Sequence, residues 1–312
     1  MYRGAYSTYW SPLSWECDVD RLRSLDSPSR GSVQARAMAV PNNEAVDPYA
    51  DIRQHVDSAG GKFLHENAVL ASVEEVLETQ GLPRSPVAYL GALMMSLQAQ
   101  REVEPATYAG VLNLLDRALA HIPRALLQSK AARISTAVVA VANQHVENPP
   151  VLRGALACAL RLLSAPPPRA AAPAPEALKL FHWLLAHVMH PNPKVRQRGQ
   201  LACCTALREQ PVLAEAAAKF VDARLVASAV KDVAPVLHLL HFLRQALPTF
   251  GNGPMTVATT AILRLHSLGH PQIARAASGV LAELCADGET EPSVAVLANI
   301  IDKLLRTPNA AA

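Results

Sequence analysis

The stretch His190-Pro-Asn-Pro-Lys-Val-Arg-Gln-Arg-Gly-Gln-Leu-Ala-Cys-Cys-Thr-Ala-Leu207 decides the fold. Its two prolines predict a turn and then the start of a helix, where the missing backbone N–H of proline costs nothing. The small and apolar residues that follow lie at i, i+4, i+7, i+8, i+11 and i+12: Val195, Gly199, Ala202, Cys203, Ala206 and Leu207. These offsets predict one apolar stripe along a helix, and its small side chains would let another helix approach closely.

The same offsets occur at two other places in the chain, each shortly after a proline. The stripes are Val151, Ala155, Cys158, Ala159, Leu162 and Leu163, and Ile273, Ala277, Val280, Leu281, Leu284 and Cys285. From Val151 to Val195 is 44 residues, and from Val195 to Ile273 is 78, about two such units. A unit of about forty residues with two helices matches HEAT or armadillo spacing. One unit cannot bury its apolar face alone, so neighbouring units must stack.

These patterns predict an all-α fold, a right-handed α-solenoid of HEAT/armadillo-like repeats over residues 62–306. An irregular helical bundle is the alternative. Further helices are predicted at 68–79, 106–120, 176–189 and 235–247, and no run of strict alternation predicts a strand. Half of the residues are apolar but only 4% are aromatic, so the core must be built from Ala, Leu and Val, which suits helix-on-helix packing.

Three segments depart from the repeat pattern. Residues 1–60 hold six of the 14 aromatic residues without any period, and we interpret them as a disordered or unplaced N-terminal tail. The Pro/Ala-rich segment 165–176 is predicted to be a surface loop inside the repeat domain, between the second helix of one repeat and the first helix of the next. Residues 307–312 are predicted to form a short tail after the last helix.

Charge and cysteine content bound the class of protein. The net charge is +3, which is not the footprint of a dedicated nucleic-acid-binding domain but allows weak phosphate contacts. Five cysteines without CxxC spacing indicate a reducing compartment, and Cys158, Cys203 and Cys285 are expected to act as small hydrophobic residues on their stripes. No apolar run reaches transmembrane length, and the N-terminus has no apolar signal-peptide core.

Motifs that would predict an enzyme are missing: the sequence has no G-x-x-x-x-G-K-[ST], no G-x-G-x-x-G and no G-x-S-x-G. We therefore expect no catalytic residues, no cofactor, no metal site and no small-molecule substrate. The pairs His238/His241 and His266/His270 could each place two ligands on one helix face, but no Cys, Asp or Glu joins them locally. We interpret these histidines as ordinary surface or boundary residues.

Two groups of charged residues are candidates for a site. Glu74 and Glu75 are adjacent on a predicted helix, and we interpret them as a solvated face rather than a catalytic pair. Lys194, Arg196 and Arg198 lie at a helix N-terminus, where backbone N–H groups also favour anions, and they are the candidate RNA-phosphate contacts. The alternative is that an Arg at this place in a HEAT unit pairs with a neighbouring acidic side chain. Aromatic residues that could stack on bases are scarce here, so sequence-specific RNA readout is not expected.

Four segments, in this order, resemble one known family. They are Ala68-Val-Leu-Ala-Ser-Val-Glu-Glu-Val-Leu-Glu-Thr-Gln-Gly81, Tyr108-Ala-Gly-Val-Leu-Asn-Leu-Leu-Asp-Arg-Ala-Leu-Ala-His-Ile-Pro-Arg-Ala-Leu-Leu127, His190-Pro-Asn-Pro-Lys-Val-Arg-Gln-Arg-Gly199 and Leu237-His-Leu-Leu-His-Phe-Leu-Arg-Gln-Ala-Leu-Pro-Thr-Phe250. Together they resemble the amino-terminal part of the ribosomal RNA-processing protein twelve-like family, over about residues 62–306. Members of that family are several times longer than this chain, so the solenoid is expected to continue in a longer protein.

The resemblance implies a HEAT-repeat protein of the nucleus and nucleolus that could also shuttle to the cytoplasm. It implies a scaffold, not an enzyme, that acts in ribosomal RNA processing and in the maturation or export of pre-ribosomal subunits. Its partners would be proteins of pre-ribosomal particles, with the ribosomal RNA backbone as a further candidate. A membrane is not expected as a partner. The alternative function is a general HEAT-type adaptor or a nuclear transport receptor-like protein that binds peptides.

Overall fold

The computed structural model of this protein describes residues 47–54, 64–99, 103–164, 173–229, 232–265, 269–286, 298 and 301–302. Within those ranges the chain is helical and contains no strand. The helices are α1 (Ala50–Gln54), α2 (Leu64–Thr79), α3 (Pro86–Gln98), α4 (Pro105–Leu119), α5 (Arg124–Gln144), α6 (Pro149–Leu163), α7 (Pro175–Ala186), α8 (Pro193–Glu209), α9 (Ala214–Ala229), α10 (Val233–Ala246), α11 (Asn252–Arg264) and α12 (Pro271–Ala286). Six of these helices begin at a proline, as expected for a residue whose fixed φ suits the first helical position.

Helices α2 to α12 pack in two rows. Row A consists of α3, α5, α7, α9 and α11, and row B consists of α2, α4, α6, α8, α10 and α12. Each helix packs against the next member of its own row, and helices that follow one another in the chain join the two rows. The predicted all-α solenoid is therefore confirmed. None of the described helices is long and apolar enough to cross a membrane.

The repeated apolar stripes lie on row B and face its neighbours. All six stripe residues of α6 and all six of α8 are buried. Neighbouring elements approach so closely that a Cβ atom added to Gly154 would lie 2.8 Å from Cβ of Leu112 on α4 in the same row, and one added to Gly199 would lie 3.1 Å from the carbonyl oxygen of His187 at the end of α7 in row A. Small residues are required at these helix crossings because the neighbouring atoms occupy the space of a larger side chain.

The prediction for Cys285 was wrong, whereas those for Cys158 and Cys203 are confirmed. Cys158 and Cys203 are buried, but Cys285 is exposed in the last turn of α12. The stripe register is the same in all three helices, but no described helix follows α12 in row B. Burial at this register depends on a neighbouring helix, which the helix's own sequence cannot supply.

Residues 47–54, which the sequence assigns to the N-terminal tail, pack against the helical stack. Tyr49 and Ile52 are fully buried, and the hydroxyl of Tyr49 donates a 3.0 Å hydrogen bond to the carbonyl oxygen of Leu114 on α4. The ring of Tyr49 also meets that of Tyr89 edge to face, with 4.7 Å between centroids. The pattern-based boundary at residue 60 missed this segment because α1 is too short to show a helical period.

Glu74 on α2 is half-buried and not part of a solvated face. Its Oε1 accepts hydrogen bonds from Arg53 Nε at 3.1 Å and from the hydroxyl of Tyr89 at 2.9 Å. Burial and the hydrogen bond to Glu74 raise the pKa of Tyr89 to about 12. Glu75 is exposed, so the two adjacent carboxylates have different surroundings. The sequence missed this network because Arg53 lies 21 residues before Glu74.

The four other helices predicted from the sequence are present as α2, α4, α7 and α10, with ends that differ by up to four residues. The sequences of helices α3, α5, α9 and α11 did not show a distinct helical period of apolar residues. In α3, residues 89–94 are all buried, which erases the helical period. Residues 1–46 and 307–312 of the predicted tails lie outside the described residues, as do residues 165–172 of the predicted loop. These domain assignments stay predictions.

Candidate functional site

The turn before α8 is built by three neighbouring side chains. Asn192 caps the helix: its Oδ1 accepts hydrogen bonds from the backbone N–H groups of Lys194 at 3.0 Å and Val195 at 3.3 Å. His190 in turn accepts a 3.1 Å hydrogen bond at Nδ1 from the backbone N–H of Asn192. Pro193 occupies the first helical position. The His-Pro-Asn-Pro sequence therefore folds into a cap, and the predicted start of the helix is confirmed.

This cap changes the argument for anion binding at the helix N-terminus. Pro193 has no N–H, the N–H groups of Lys194 and Val195 are bonded to Asn192, and that of Arg196 is bonded to the carbonyl oxygen of Asn192. No backbone donor in this first turn is left for a phosphate. A phosphate would have to be bound by side chains alone, so the three basic residues must be considered one by one.

Arg196 stabilises the turn. Its Nη1 donates to the carbonyl oxygens of His190 at 2.9 Å and Pro191 at 3.1 Å. The charge of Arg196 also reaches His238 on α10, whose pKa is lowered by burial and, to a smaller extent, by this guanidinium. Arg196 thus does not project freely into solvent. No described carboxylate pairs with it, contrary to the alternative interpretation.

Lys194 and Arg198 lie on a different side of α8 from Arg196. Lys194 is exposed and Arg198 is half-buried. No ion pair in the described part of the chain involves either of them. Arg198 faces α6, because its charge weakly opposes the burial that raises the pKa of the Cys158 thiol. The structure therefore splits the predicted cluster, and only Lys194 and Arg198 keep their charge available at the surface.

A row of aromatic rings leads into the same turn. The rings of Trp183 and His187 lie 4.5 Å apart, and those of His187 and His190 lie 6.0 Å apart and almost parallel. Nδ1 of His187 donates to the carbonyl oxygen of Trp183 at 2.9 Å. Burial lowers the pKa of His187, so its ring is held in the neutral form. Sequence reasoning missed this row, although the i, i+4 spacing of Trp183 and His187 could have indicated it.

Gln200 is the buried polar residue that fastens α8 to its surroundings. It is 4% exposed, and its Nε2 donates to the carbonyl oxygens of Val188 and His238, both at 3.0 Å. These bonds join α8 to the turn that precedes it and to α10, the next helix of row B. The sequence signal for this residue is a glutamine within a segment of small and apolar residues. A glutamine amide that is buried there needs a hydrogen-bond partner.

The histidines of the two predicted pairs differ in their surroundings. His238 is half-buried and its Nδ1 has no hydrogen-bond partner among the described residues, whereas His241 is exposed with Nε2 3.2 Å from Nε2 of Gln245. His270 is described, but His266 lies outside the described residues. In the ranges that the structure describes, no three His, Cys, Asp or Glu side chains converge as a metal site would require.

Comparison with known proteins identifies the family of this stack. A family model described as RRP12-like, N-terminal HEAT repeats, matches residues 52–292. The chain is 30% identical over 216 residues to the human RRP12-like protein and 30% identical over 217 residues to the chicken RRP12-like protein. Each alignment covers 65% of this chain and 16% of the relative. The matched range includes α2 to α12, and its start at residue 52 agrees with the packing of Ile52 in the core. The chain therefore belongs to the RRP12-like family, of which it carries the N-terminal HEAT repeats.

Proposed function

We propose that this chain is a non-enzymatic scaffold in ribosome biogenesis. It supports ribosomal RNA processing and the maturation or export of pre-ribosomal subunits by binding proteins and the RNA backbone. The observation that carries the proposal is the match to the RRP12-like family over 52–292, which covers almost the whole helical stack. Because the aligned part spans only 16% of each relative, the activity of the whole protein is part of the proposal.

The architecture supports a binding role. Stacked helical repeats present long, continuous surfaces, and they use these surfaces for protein and nucleic-acid contacts more often than for chemistry. The proposed place of action is the nucleus and nucleolus. The runner-up function is a HEAT-type adaptor or transport receptor-like protein that binds peptides away from pre-ribosomes.

The proposed RNA contact uses Lys194 and Arg198 as phosphate ligands. Lys194 is exposed and Arg198 is half-buried, and neither is engaged in an ion pair within the described ranges. Arg196 belongs to the same sequence cluster, but its guanidinium bonds the turn carbonyls, so we assign it to the structure of the site. A side-chain contact of this kind is electrostatic and carries no base specificity.

Sedimentation of the natural full-length protein tests the function. We expect it to co-sediment with pre-ribosomal particles and to crosslink to ribosomal RNA in cells. A protein that stays in the free fractions and never crosslinks to ribosomal RNA would favour the adaptor function instead.

Charge reversal tests the RNA contact. Lys194→Glu with Arg198→Glu should weaken binding of a ribosomal RNA fragment. It should also reduce the slope of log K against log salt by the contribution of about two phosphate contacts. The matched control is Lys179→Glu with Arg224→Glu, which reverses two exposed cations on row A. Equal RNA affinity for the two double variants would exclude the proposed contact.

A further inference from the structure

Charge is unevenly distributed along row B. Helix α2 carries four glutamates and no lysine or arginine, and α4 carries one Asp and one Arg. The next three helices reverse this balance: α6 has two arginines, α8 has one lysine and three arginines, and α10 has one arginine. Their only carboxylate is Glu209, at the end of α8. The face formed by α6, α8 and α10, here called the basic face, would therefore attract an acidic partner.

Not every cation of the basic face is available. Arg161 on α6 is paired with Asp116 at 3.0 Å, Arg244 on α10 is paired with Glu283, and Arg196 is bonded to the turn. The remaining cations are Arg153 on α6 and Lys194, Arg198 and Arg208 on α8, and no described carboxylate pairs with any of them. Arg153, Lys194 and Arg208 are exposed.

One exposed leucine lies in the middle of the basic face. The exposed stripe of α8 runs through Lys194, Gln197, Leu201, Thr205 and Arg208, with a cation at each end and a leucine at the centre. The Leu201 side chain is 51% exposed, although it lies in the middle of a 17-residue helix between neighbours on both sides. Apolar exposure on this scale is ordinary for one residue, so its meaning depends on its surroundings.

The neighbours of Leu201 follow from the packing register. Helices α6 and α8 pack against each other and repeat with an offset of 44 residues, so the equivalents of Leu201 and Cys204 on α6 are the buried Ala157 and the half-buried Leu160. On the other side, Sγ of Cys204 lies 4.0 Å from Oε1 of Gln245 on α10, and His241, one turn before Gln245, is exposed. Leu201 is thus a single exposed apolar side chain on the outer side of α8, between the exposed cations Lys194 and Arg208.

We propose that the basic face binds an acidic, amphipathic segment of a partner protein, with apolar side chains on Leu201 and carboxylates on Arg153 and Arg208. Such a segment matches both features of the surface, since an apolar centre within a charged rim is the usual arrangement at protein interfaces. The inference deepens the proposed function, on which it rests, by giving the chemistry of the protein partner.

A bare RNA strand matches this surface less well. Single-stranded RNA is held by aromatic side chains that stack on bases, together with cations that contact phosphates. The only Phe, Tyr or Trp on α6, α8 and α10 is Phe242, which is fully buried. A leucine at the centre of the face offers nothing to a phosphate, but it can anchor an apolar side chain of a peptide.

Three labelled probes test the proposal with the full 312-residue chain by fluorescence anisotropy. The first is a peptide of about 16 residues with leucines at i, i+3, i+4 and i+7 and glutamates elsewhere. The second is a polyglutamate peptide of the same length, and the third is an oligouridine RNA of about 20 nucleotides. We expect the Leu/Glu peptide to bind about tenfold more tightly than either other probe, since one buried apolar anchor contributes about that factor.

The variants separate the two parts of the surface. Leu201→Ser should weaken binding of the Leu/Glu peptide about fivefold or more and leave polyglutamate binding unchanged. Arg208→Glu should weaken binding of both peptides. The matched controls are Val146→Ser, at a valine that is 52% exposed in the turn between α5 and α6, and Lys179→Glu on α7. Both controls should bind all three probes like the unaltered chain. Because the substituted side chains are exposed, circular dichroism should show the same helix content throughout.

Two results would overturn the inference. One is tighter binding of the RNA than of the Leu/Glu peptide, with loss of RNA binding in Arg208→Glu. The other is an unchanged peptide affinity in Leu201→Ser. Either result leaves the proposed function standing, because sedimentation with pre-ribosomes does not depend on which surface is used. Conversely, a protein that binds the peptide but does not sediment with pre-ribosomes would support this inference and contradict the proposed function.

Discussion

The side-chain nitrogen Nε2 of Gln200 lies 3.0 Å from the carbonyl oxygen of His238, which belongs to the next helix of row B. The same nitrogen donates to Val188 in the turn before α8. One buried amide thus bridges a turn and a neighbouring helix, and it fixes the register between α8 and α10 in a way that apolar packing does not, because hydrogen bonds are directional.

Replacing Gln200 by Met should destabilise the domain by about 1–2 kcal/mol, since two buried carbonyl oxygens lose their donor while the volume stays similar. Urea unfolding followed by circular dichroism measures this. Gln197→Met, three residues away on the exposed side of the same helix, is the control and should change the stability by less than about 0.5 kcal/mol. Equal effects of the two substitutions would contradict the bridging role.

Two glycines on row B should respond in opposite directions to the same substitution. Gly154→Ala should destabilise the domain by about 1–3 kcal/mol, because the new Cβ would lie 2.8 Å from Cβ of Leu112. Gly279→Ala on α12 should stabilise it by about 0.5–1 kcal/mol, since nothing lies within 4 Å of that Cβ and alanine favours the helix. Thermal unfolding of the two variants gives the comparison, and shifts of the same sign would argue against the close approach of α4 and α6.

Tyr49 tests whether residues 47–54 belong to the folded domain. Tyr49→Phe keeps the ring and removes the hydrogen bond to Leu114, which should cost about 1 kcal/mol. Tyr49→Ala also empties a fully buried site next to Tyr89 and should cost about 3–5 kcal/mol. Urea unfolding of both variants should show this graded loss. A stability that neither substitution alters would mean that the helical stack does not need this segment.

The stability of the domain should fall as the pH drops below about 6.5. Burial lowers the pKa of His187 and that of His238 from the ordinary value of 6.5, so the unfolded chain binds more protons than the folded one in this range. The free energy of unfolding therefore rises with pH up to about 6.5 and is fully restored above it. Urea midpoints between about pH 5 and pH 8 measure the slope.

His187→Phe should reduce this slope and leave part of it, because His238 also contributes. The same substitution at the exposed His182, on the same helix, should leave the slope unchanged. If the slope is the same in His187→Phe and in the unaltered chain, protonation of the buried ring does not contribute to the acid sensitivity.

Much of the fold could be predicted from the sequence because its causes are local. The stripes that begin at Val151 and Val195 repeat small residues at helical spacing, and the prolines and Asn192 set where α8 begins. Cys285 shows the limit of such patterns: its register predicts burial, but burial also requires a neighbouring helix. Likewise α3, whose residues 89–94 are all buried, has no period to detect although it is a helix.

The sequence by itself determined that the chain is helical, that its units repeat, and that cations gather at the start of α8. Only the tertiary structure decided what each cation does. Arg196 folds back onto the carbonyl oxygens of His190 and Pro191, whereas Lys194 remains in solvent, two residues away on the same helix. The physical reason is that the helical twist turns neighbouring basic residues to different sides, and the turn and the adjacent helices then determine which charges find a partner.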